Sequence, residues 1–222
     1  MRAICGVAVA MLVALGSSSA EAQSTRGFKN SWFWGARVGG TFYQVQSDPD
    51  GSLSPMAGID WLMTREVGGL YAAFDHTFFQ DQSVFVSDSV GPVDTIPRRV
   101  FLSGMRRFTL AAMVFPYQRK YLQTYFGLGA TLSQIAKAEP EGTFRNATQE
   151  SLVAGTVRQF RTTAHPIVIA GGQLRLLYVS AFAQATTSPA TRQFFLFTGT
   201  NWRSTLEAGL RYNIGSSIDP MR

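Results

Sequence analysis

The sequence NWRSTLEAGLRYNI at residues 201–214 alternates between two kinds of side chain over its whole length. One row is apolar and has aromatic residues near its ends, at Trp202 and Tyr212. The other row is polar and carries three charges, at Arg203, Glu207 and Arg211. Because successive side chains of a strand point to opposite faces, the stretch has one apolar and one polar face. It is longer than a soluble strand of ~5–6 residues and suits a tilted membrane-spanning strand of roughly 9–11 residues with interfacial ends.

The same alternation recurs along the chain and predicts seven further strands, at residues 31–46, 55–64, 70–80, 98–115, 121–133, 164–175 and 178–187. The predicted connections alternate in length. Those after the second, fourth and sixth strands are short. The longer ones follow the other strands, at residues 47–54, 81–97, 134–163 and 188–200. Short periplasmic turns and longer extracellular loops are typical of a meandering barrel with both termini on one side. The sequence therefore predicts an all-β fold, an eight-stranded antiparallel up-and-down transmembrane β-barrel.

Two local features qualify this pattern. Residues 148–160 (TQESLVAGTVRQF) predict a short helix inside the longest connection, with Glu150 in its first turn. The phase of the fourth strand places Arg106 on the apolar face. Two interpretations of Arg106 stand: its side chain reaches the membrane surface and meets anionic head groups, or a β-bulge resets the phase.

The N-terminus has the pattern of a cleaved secretory signal peptide, predicted to span residues 1–22. Arg2 provides the positive charge, residues 4–15 are apolar, and Ala20-Glu21-Ala22 fits the small-x-small cleavage pattern. The apolar run is shorter than the ~20 residues of a membrane-spanning helix. The only cysteine, Cys5, lies in this segment. Residues 23–222 are predicted to form a single outer-membrane β-barrel domain without a thiol or a disulfide.

The formal net charge is +6, and the arginines are spread along the predicted strands. A nucleic-acid site would concentrate them on one face or helix, so no nucleic-acid partner is expected. Two other partners suit this charge: buried carboxylates, and the phosphates of outer-membrane lipid or lipopolysaccharide.

The polar row has few lysines and several glycines, which is unusual for a solvated face but suits a crowded interior. A soluble, lipocalin-like barrel would place the two rows the other way round. An eight-stranded barrel has an interior that side chains fill, so we predict a plugged lumen and no general pore. Buried charges are tolerated when paired, which predicts a lumenal ion-pair network of Arg37, Asp60, Asp75, Arg107, Arg175, Arg203, Glu207 and Arg211.

Aromatic residues near the strand ends suit the membrane–water interface. The predicted interfacial girdle comprises Trp32, Trp34, Trp61, Trp202 and Tyr212.

Three segments carry a family likeness: ARVGG at residues 36–40, YFGLG at 125–129 and the terminal strand at 206–214. With them the chain resembles the small eight-stranded outer-membrane β-barrel family, the OmpA/OmpX-like barrels of Gram-negative bacteria. The resemblance implies a location in the bacterial outer membrane and insertion by the barrel-assembly machinery. Members of the family usually end on an aromatic residue, whereas here residues 215–222 follow the terminal strand.

Three classes of function are compatible with the predicted barrel. We favour the first, a structural or surface-interaction barrel that is not an enzyme. The second is an enzyme that modifies outer-leaflet lipid, as some small outer-membrane barrels are. Its candidate base is His76, with Thr77, Ser87 or Ser89 as nucleophile, and His165 is the other histidine. The third is a narrow conduit for a small apolar solute, which a lateral opening beside Gly171 and Gly172 would support. No metal or cofactor is expected, because the sequence lacks His-x-x-His and Glu-x-x-His spacing.

Overall fold

The computed structural model describes residues 27–45, 48–85, 98–142, 144, 147–176, 178–189 and 202–216, so the predicted signal peptide lies outside the described residues. These residues form eight strands and one helix. In chain order they are β1 (Ser31–Val45), β2 (Asp48–Thr64), β3 (Gly68–Phe85), β4 (Arg98–Gln118), β5 (Leu122–Glu141), α1 (Ala147–Phe160), β6 (Thr162–Leu176), β7 (Val179–Pro189) and β8 (Trp202–Ser216). Each strand pairs antiparallel with the next, and β8 pairs with β1 to close the barrel. The predicted eight-stranded up-and-down topology is confirmed.

The predicted loops at residues 47–54, 81–97, 134–163 and 188–200 were wrong in part, because the strands continue into them. β2 begins at Asp48, β3 continues to Phe85, β5 continues to Glu141 and β7 continues to Pro189. Only two residues therefore separate β1 from β2. The Asp, Pro, Gly and Ser residues of these segments indicated turns, but each extension pairs with a neighbouring strand, and this pairing outweighs local propensity. The remainders at residues 86–97 and 190–200 lie outside the described part of the chain.

The helix predicted at residues 148–160 is confirmed as α1, with Glu150 in its first turn and Arg158 in its last. Both charges are favourable with respect to the helix dipole. Among the described residues, no helix has the length and apolar character needed to cross a membrane.

The barrel has two distinct ends. The connections between β2 and β3, β4 and β5, and β6 and β7 lie at one end, the turn end. The connection between β1 and β2, although only two residues long, lies with the other connections at the opposite end, the loop end. β4 has 21 residues and β5 has 20, about twice the roughly 9–11 that cross a membrane. The sheet therefore extends beyond the membrane at the loop end, where α1 packs on it through Val153 and Val157.

The apolar row of the strands faces outward, as predicted. On β8, Leu206 is 69% exposed while the neighbouring Glu207 is 2% exposed. The same alternation leaves large apolar side chains exposed around the barrel: Val38, Ile59, Phe74, Leu110, Leu128, Val168, Leu174 and Leu210. A continuous apolar surface of this extent marks contact with membrane. The lipocalin-like arrangement, with apolar residues inside and charges outside, is excluded.

A β-bulge interrupts the pairing of β3 with β4. Thr77 pairs with Met105 and Gln80 with Ser103, so that two phenylalanines, Phe78 and Phe79, lie opposite the single residue Gly104. Gly104 has φ of 62°, a left-handed conformation that glycine adopts without strain. Arg106 lies just beyond the bulge and is exposed on the outward face. Both interpretations of this segment therefore hold, since the phase is reset and Arg106 still faces outward.

Candidate functional site

Four buried charged residues from four strands meet in the middle of the lumen. Arg37 of β1 donates through Nη2 to Asp75 of β3 and through Nη1 to Oε2 of Glu207 of β8, the latter at 2.6 Å. Arg107 of β4 donates through Nε to Oδ1 of Asp75 at 2.6 Å, and its Nη2 lies 3.5 Å from Oε1 of Glu207. Each arginine thus contacts both carboxylates. We call Arg37, Asp75, Arg107 and Glu207 the central cluster.

A second ion pair lies closer to the turn end. Arg211 donates through Nε at 2.8 Å and through Nη2 at 2.5 Å to Oδ2 of Asp60. The guanidinium carbon of Arg211 lies 3.7 Å from the ring centroid of Phe182, within the range of a cation–π contact. Gln184 connects this pair to the central cluster. Its amide nitrogen donates to Glu207 at 2.9 Å, and its oxygen accepts from Arg211 at 3.2 Å.

The remaining two of the eight predicted lumenal residues lie apart from these ion pairs. Arg203 of β8 donates to Oγ of Ser133 at 3.1 Å and to Sδ of Met105 at 3.5 Å. Among the described residues, no carboxylate lies within ion-pair distance of Arg203. Arg175 is half-buried near the turn end of β6, where its backbone N–H donates to the carbonyl of Tyr121 at 2.8 Å.

Uncharged polar residues complete the network, and the sequence analysis missed them. Tyr71 accepts from Arg37 at 2.6 Å and from Gln184 at 2.9 Å. Thr205 accepts from Arg107 at 2.8 Å, and Gln173 accepts from Arg211 at 3.1 Å. These residues, Tyr71, Gln173, Gln184 and Thr205, lie on the polar rows of their strands, so the alternation predicts that they face inward. The alternation does not predict their hydrogen-bond partners, because these depend on how the closed barrel staggers its strands.

Glycines next to the large charged residues make room for them. Arg37 pairs across the sheet with Gly58 on one side and Gly209 on the other. A Cβ atom at Gly58 would lie 2.6 Å from Cβ of Asp75, and one at Gly209 would lie 2.9 Å from Cα of Arg37. Carbon atoms do not approach so closely without displacement of the neighbouring strand. The central cluster therefore depends on these glycines for its space.

Apolar side chains lie inside the barrel on both sides of the polar layer. Towards the turn end, Phe33, Leu62 and Met113 belong to one buried cluster. Towards the loop end, Leu102 and Ile135 belong to another, which includes Val153 and Val157 of α1. Between them lies a cavity of about 10 Å³ with Arg37, Arg107 and Glu207 of the central cluster in its wall. Such a volume holds about one water-sized particle.

The strand pairing is continuous at Gly171 and Gly172, where the sequence analysis considered a lateral opening. Gly171 pairs with Tyr125 on one side and Gln184 on the other. Gly172 pairs with Thr124 and Ala183. The strand pairing on both sides of β6 is therefore unbroken at these glycines, and the barrel wall is closed there.

Solved structures of other proteins share this architecture. No family model matches the chain, and no curated protein matches it. Among solved structures, it is similar to Neisserial surface protein A, with 12% identity and a TM-score of 0.51 over 82% of this chain and 97% of that one. The chain has the fold of the small eight-stranded outer-membrane barrels.

Two further barrels of this kind are similar at lower scores. OprG from Pseudomonas aeruginosa has 11% identity and a TM-score of 0.47 over 86% of this chain and 99% of that one. Ail of Yersinia pestis, in complex with the heparin analogue sucrose octasulfate, has 13% identity and a TM-score of 0.43 over 83% and 99% of the two chains. At these identities the likeness concerns the outer-membrane barrel fold alone.

In an outer-membrane barrel, interfacial aromatic residues form girdles at both edges of the apolar band. Trp34 and Tyr212 are exposed near the turn end, and their backbones are paired between β1 and β8. Half-buried Trp61 packs against Trp32, with ring centroids 5.2 Å apart. Trp202 begins β8 at the opposite end of the barrel, and its side chain lies outside the described residues.

The predicted pairing of His76 with the hydroxyl of Thr77 is not formed. Thr77 is buried in the lumen with Oγ1 3.3 Å from Oγ1 of Thr41, whereas His76 is its neighbour on the opposite, outward face. His165 is buried in the lumen, where Nε2 lies 2.7 Å from Oγ1 of Thr163. The other proposed nucleophiles, Ser87 and Ser89, lie outside the described part of the chain. Over the described residues, no group of three or more His, Cys, Asp or Glu side chains is placed to hold a metal ion.

The bulge creates an open depression of about 380 Å³ on the outward face. The ring of His76 packs edge-on against Phe78, with centroids 4.7 Å apart. Arg106 lies directly opposite His76 in the register of β3 and β4. Gln80 and Ser103 add polar groups to the wall of the depression. Because this site lies on the loop-end side of the apolar band, it combines polar donors with an apolar surface below them.

Proposed function

We propose that this protein resides in the bacterial outer membrane as a barrel with a closed lumen and acts through its outward surface, where it binds anionic outer-leaflet lipid. The observation that supports the proposal is the inward packing of the described side chains. Charged, polar and apolar residues lie inside the barrel in successive layers, and the cavity beside the central cluster has about 10 Å³. The outward surface is therefore the part of the barrel that is available to partners.

The alternative functions have less support. A conduit for an apolar solute needs an exit through the wall, and the ladder is continuous at Gly171 and Gly172. A lipid-modifying enzyme needs a base beside a nucleophile, and His76 and Thr77 lie on opposite faces of β3. The resemblance to outer-membrane barrels further suggests insertion by the barrel-assembly machinery, which would recognise the end of β8.

The depression at the bulge suits a phosphate-bearing head group. Arg106, which pairs with His76 across β3 and β4, provides a permanent positive charge beside the depression. His76, Gln80 and Ser103 provide polar groups in its wall. Exposed Phe78 and Phe108 provide apolar surface beside these groups for acyl chains. A lipid bound here places its charged head near Arg106 and its chains along the apolar band, as its amphipathic character requires.

Substitution Arg106→Gln is expected to reduce the retention of phosphate-bearing lipid about five-fold, because one basic residue near the surface contributes about 1 kcal/mol to the binding of anionic lipid. Native mass spectrometry of protein in mild detergent, mixed with equal amounts of phosphatidylglycerol and phosphatidylcholine, measures this. Arg158→Gln is the matched control, since Arg158 is exposed on α1 above the apolar band. Equal losses in both variants, or no preference of the wild type for the anionic lipid, would contradict the proposed function.

A further inference from the structure

We propose that the cavity beside the central cluster binds one small inorganic anion of the halide class, held by Arg203 and Arg37. The walls of this cavity include Arg37, Arg107, Arg203 and Glu207. This inference does not depend on lipid binding at the outward surface, because every group in it lies inside the lumen.

The described charges around the cavity do not balance. Three arginines line the cavity, namely Arg37, Arg107 and Arg203. Among the described residues, only Asp75 and Glu207 supply negative charge to this part of the network. The other lumenal carboxylate that the structure describes in an ion pair, Asp60, is matched by Arg211. One positive charge among these residues is therefore in excess, on the half-buried Arg203. A charge partly withdrawn from water without a counter-charge is disfavoured, so a bound anion stabilises this arrangement.

Hydrogen-bond donors at the cavity lack charged acceptors. Arg37 is 4% exposed, and its Nε–H has no hydrogen-bond acceptor among the described residues. In the same part of the chain, the acceptors for Arg203 are a hydroxyl and a thioether, which are both uncharged. Hydroxyl groups of Thr131 and Ser188 also line the cavity. A buried donor without an acceptor is costly, and an anion accepts hydrogen bonds from guanidinium and hydroxyl groups alike.

The volume of the cavity favours a small occupant. About 10 Å³ is close to the lower limit for one water-sized particle. A monatomic halide is somewhat larger than a water molecule, whereas sulfate, phosphate and carboxylates are several atoms wide. The proposed occupant is therefore a halide, of which chloride is the abundant member. A water molecule fits as well but leaves the excess charge uncompensated.

Stability measured against chloride tests the site. The full-length mature chain is unfolded reversibly by urea in lipid vesicles, with chloride replaced by gluconate or sulfate at constant ionic strength. A ligand that binds only the folded state lowers the equilibrium constant of unfolding. At chloride concentrations well above Kd, a ten-fold rise in chloride is therefore expected to lower that constant ten-fold. Arg203→Gln is expected to abolish the dependence, whereas Arg158→Gln on α1 retains it.

Bromide locates the anion directly. Crystals grown in bromide are expected to show an anomalous peak in the cavity beside Arg203, and the peak is expected to be absent in Arg203→Gln. Stability that does not respond to chloride, a response that Arg203→Gln retains, or crystals with water alone in the cavity would each overturn the proposal. None of these outcomes bears on lipid retention at Arg106, so the two proposals fail independently.

Discussion

Replacement of Arg211 by methionine is expected to lower the free energy of unfolding by about 3–5 kcal/mol, because it leaves the carboxylate of Asp60 buried without a counter-charge. Both side chains are fully buried, and Arg211 also donates to Tyr125, Gln173 and Gln184. Urea titration of the barrel in lipid vesicles, followed by tryptophan fluorescence, measures the change.

Two further variants separate the loss of charge pairing from the loss of volume. In Asp60→Leu/Arg211→Met, both charges are removed together, and most of the lost stability is expected to return. Arg106→Met serves as the surface control, with an expected change of at most about 1 kcal/mol, because Arg106 is exposed. A double variant that is less stable than Arg211→Met alone would contradict the ion-pair account of this part of the lumen.

The substitution Gly58→Ala is expected to destabilise the barrel by about 1–3 kcal/mol, because the added methyl group overpacks the lumen beside the central cluster. Its Cβ atom would lie 2.6 Å from Cβ and 2.8 Å from Cα of Asp75. Relief requires β3 to move away from β2, which carries Asp75 away from Arg37. The same urea titration measures the effect.

The control for this substitution is Gly155→Ala in α1. No atom lies within 4 Å of a Cβ placed at Gly155, and alanine is the better helix former by about 0.5–1 kcal/mol. The two alanine substitutions are therefore expected to act in opposite directions. If the Gly58→Ala barrel is as stable as the wild type, the lumen beside Asp75 has space for a methyl group, which would contradict close packing at this position.

Alternation along the strands was sufficient to predict the barrel, with its apolar row facing outward and its polar row facing the lumen. The row that contains Leu206 and Leu210 is mainly apolar, whereas the row that contains Glu207 and Arg211 carries the charges. A one-residue error in the register would have exchanged the two faces. The glycines of the polar row indicated a crowded interior for the same reason, and Gly58 and Gly209 lie beside Arg37.

The partners of the lumenal charges could not be read from the sequence. Arg37 pairs with Asp75, 38 residues away, and with Glu207, 170 residues away. These contacts follow from the stagger of the closed barrel, which no local pattern encodes. The lengths of the strands at the loop end were missed for a related reason. Turn-forming residues such as Pro140 and Pro189 lie within strands, because pairing with the neighbouring strand decides their conformation.

Ion conductance of the folded barrel in planar lipid bilayers tests the closed lumen most directly. The proposed closed lumen predicts that the wild type gives no channel steps, because the described side chains pack inside the barrel and the cavity beside the central cluster has about 10 Å³. Arg107→Ala provides the comparison, since it removes a side chain from the wall of that cavity. Reproducible steps in the wild type that grow larger in Arg107→Ala would show that ions pass through the lumen, and would contradict the account.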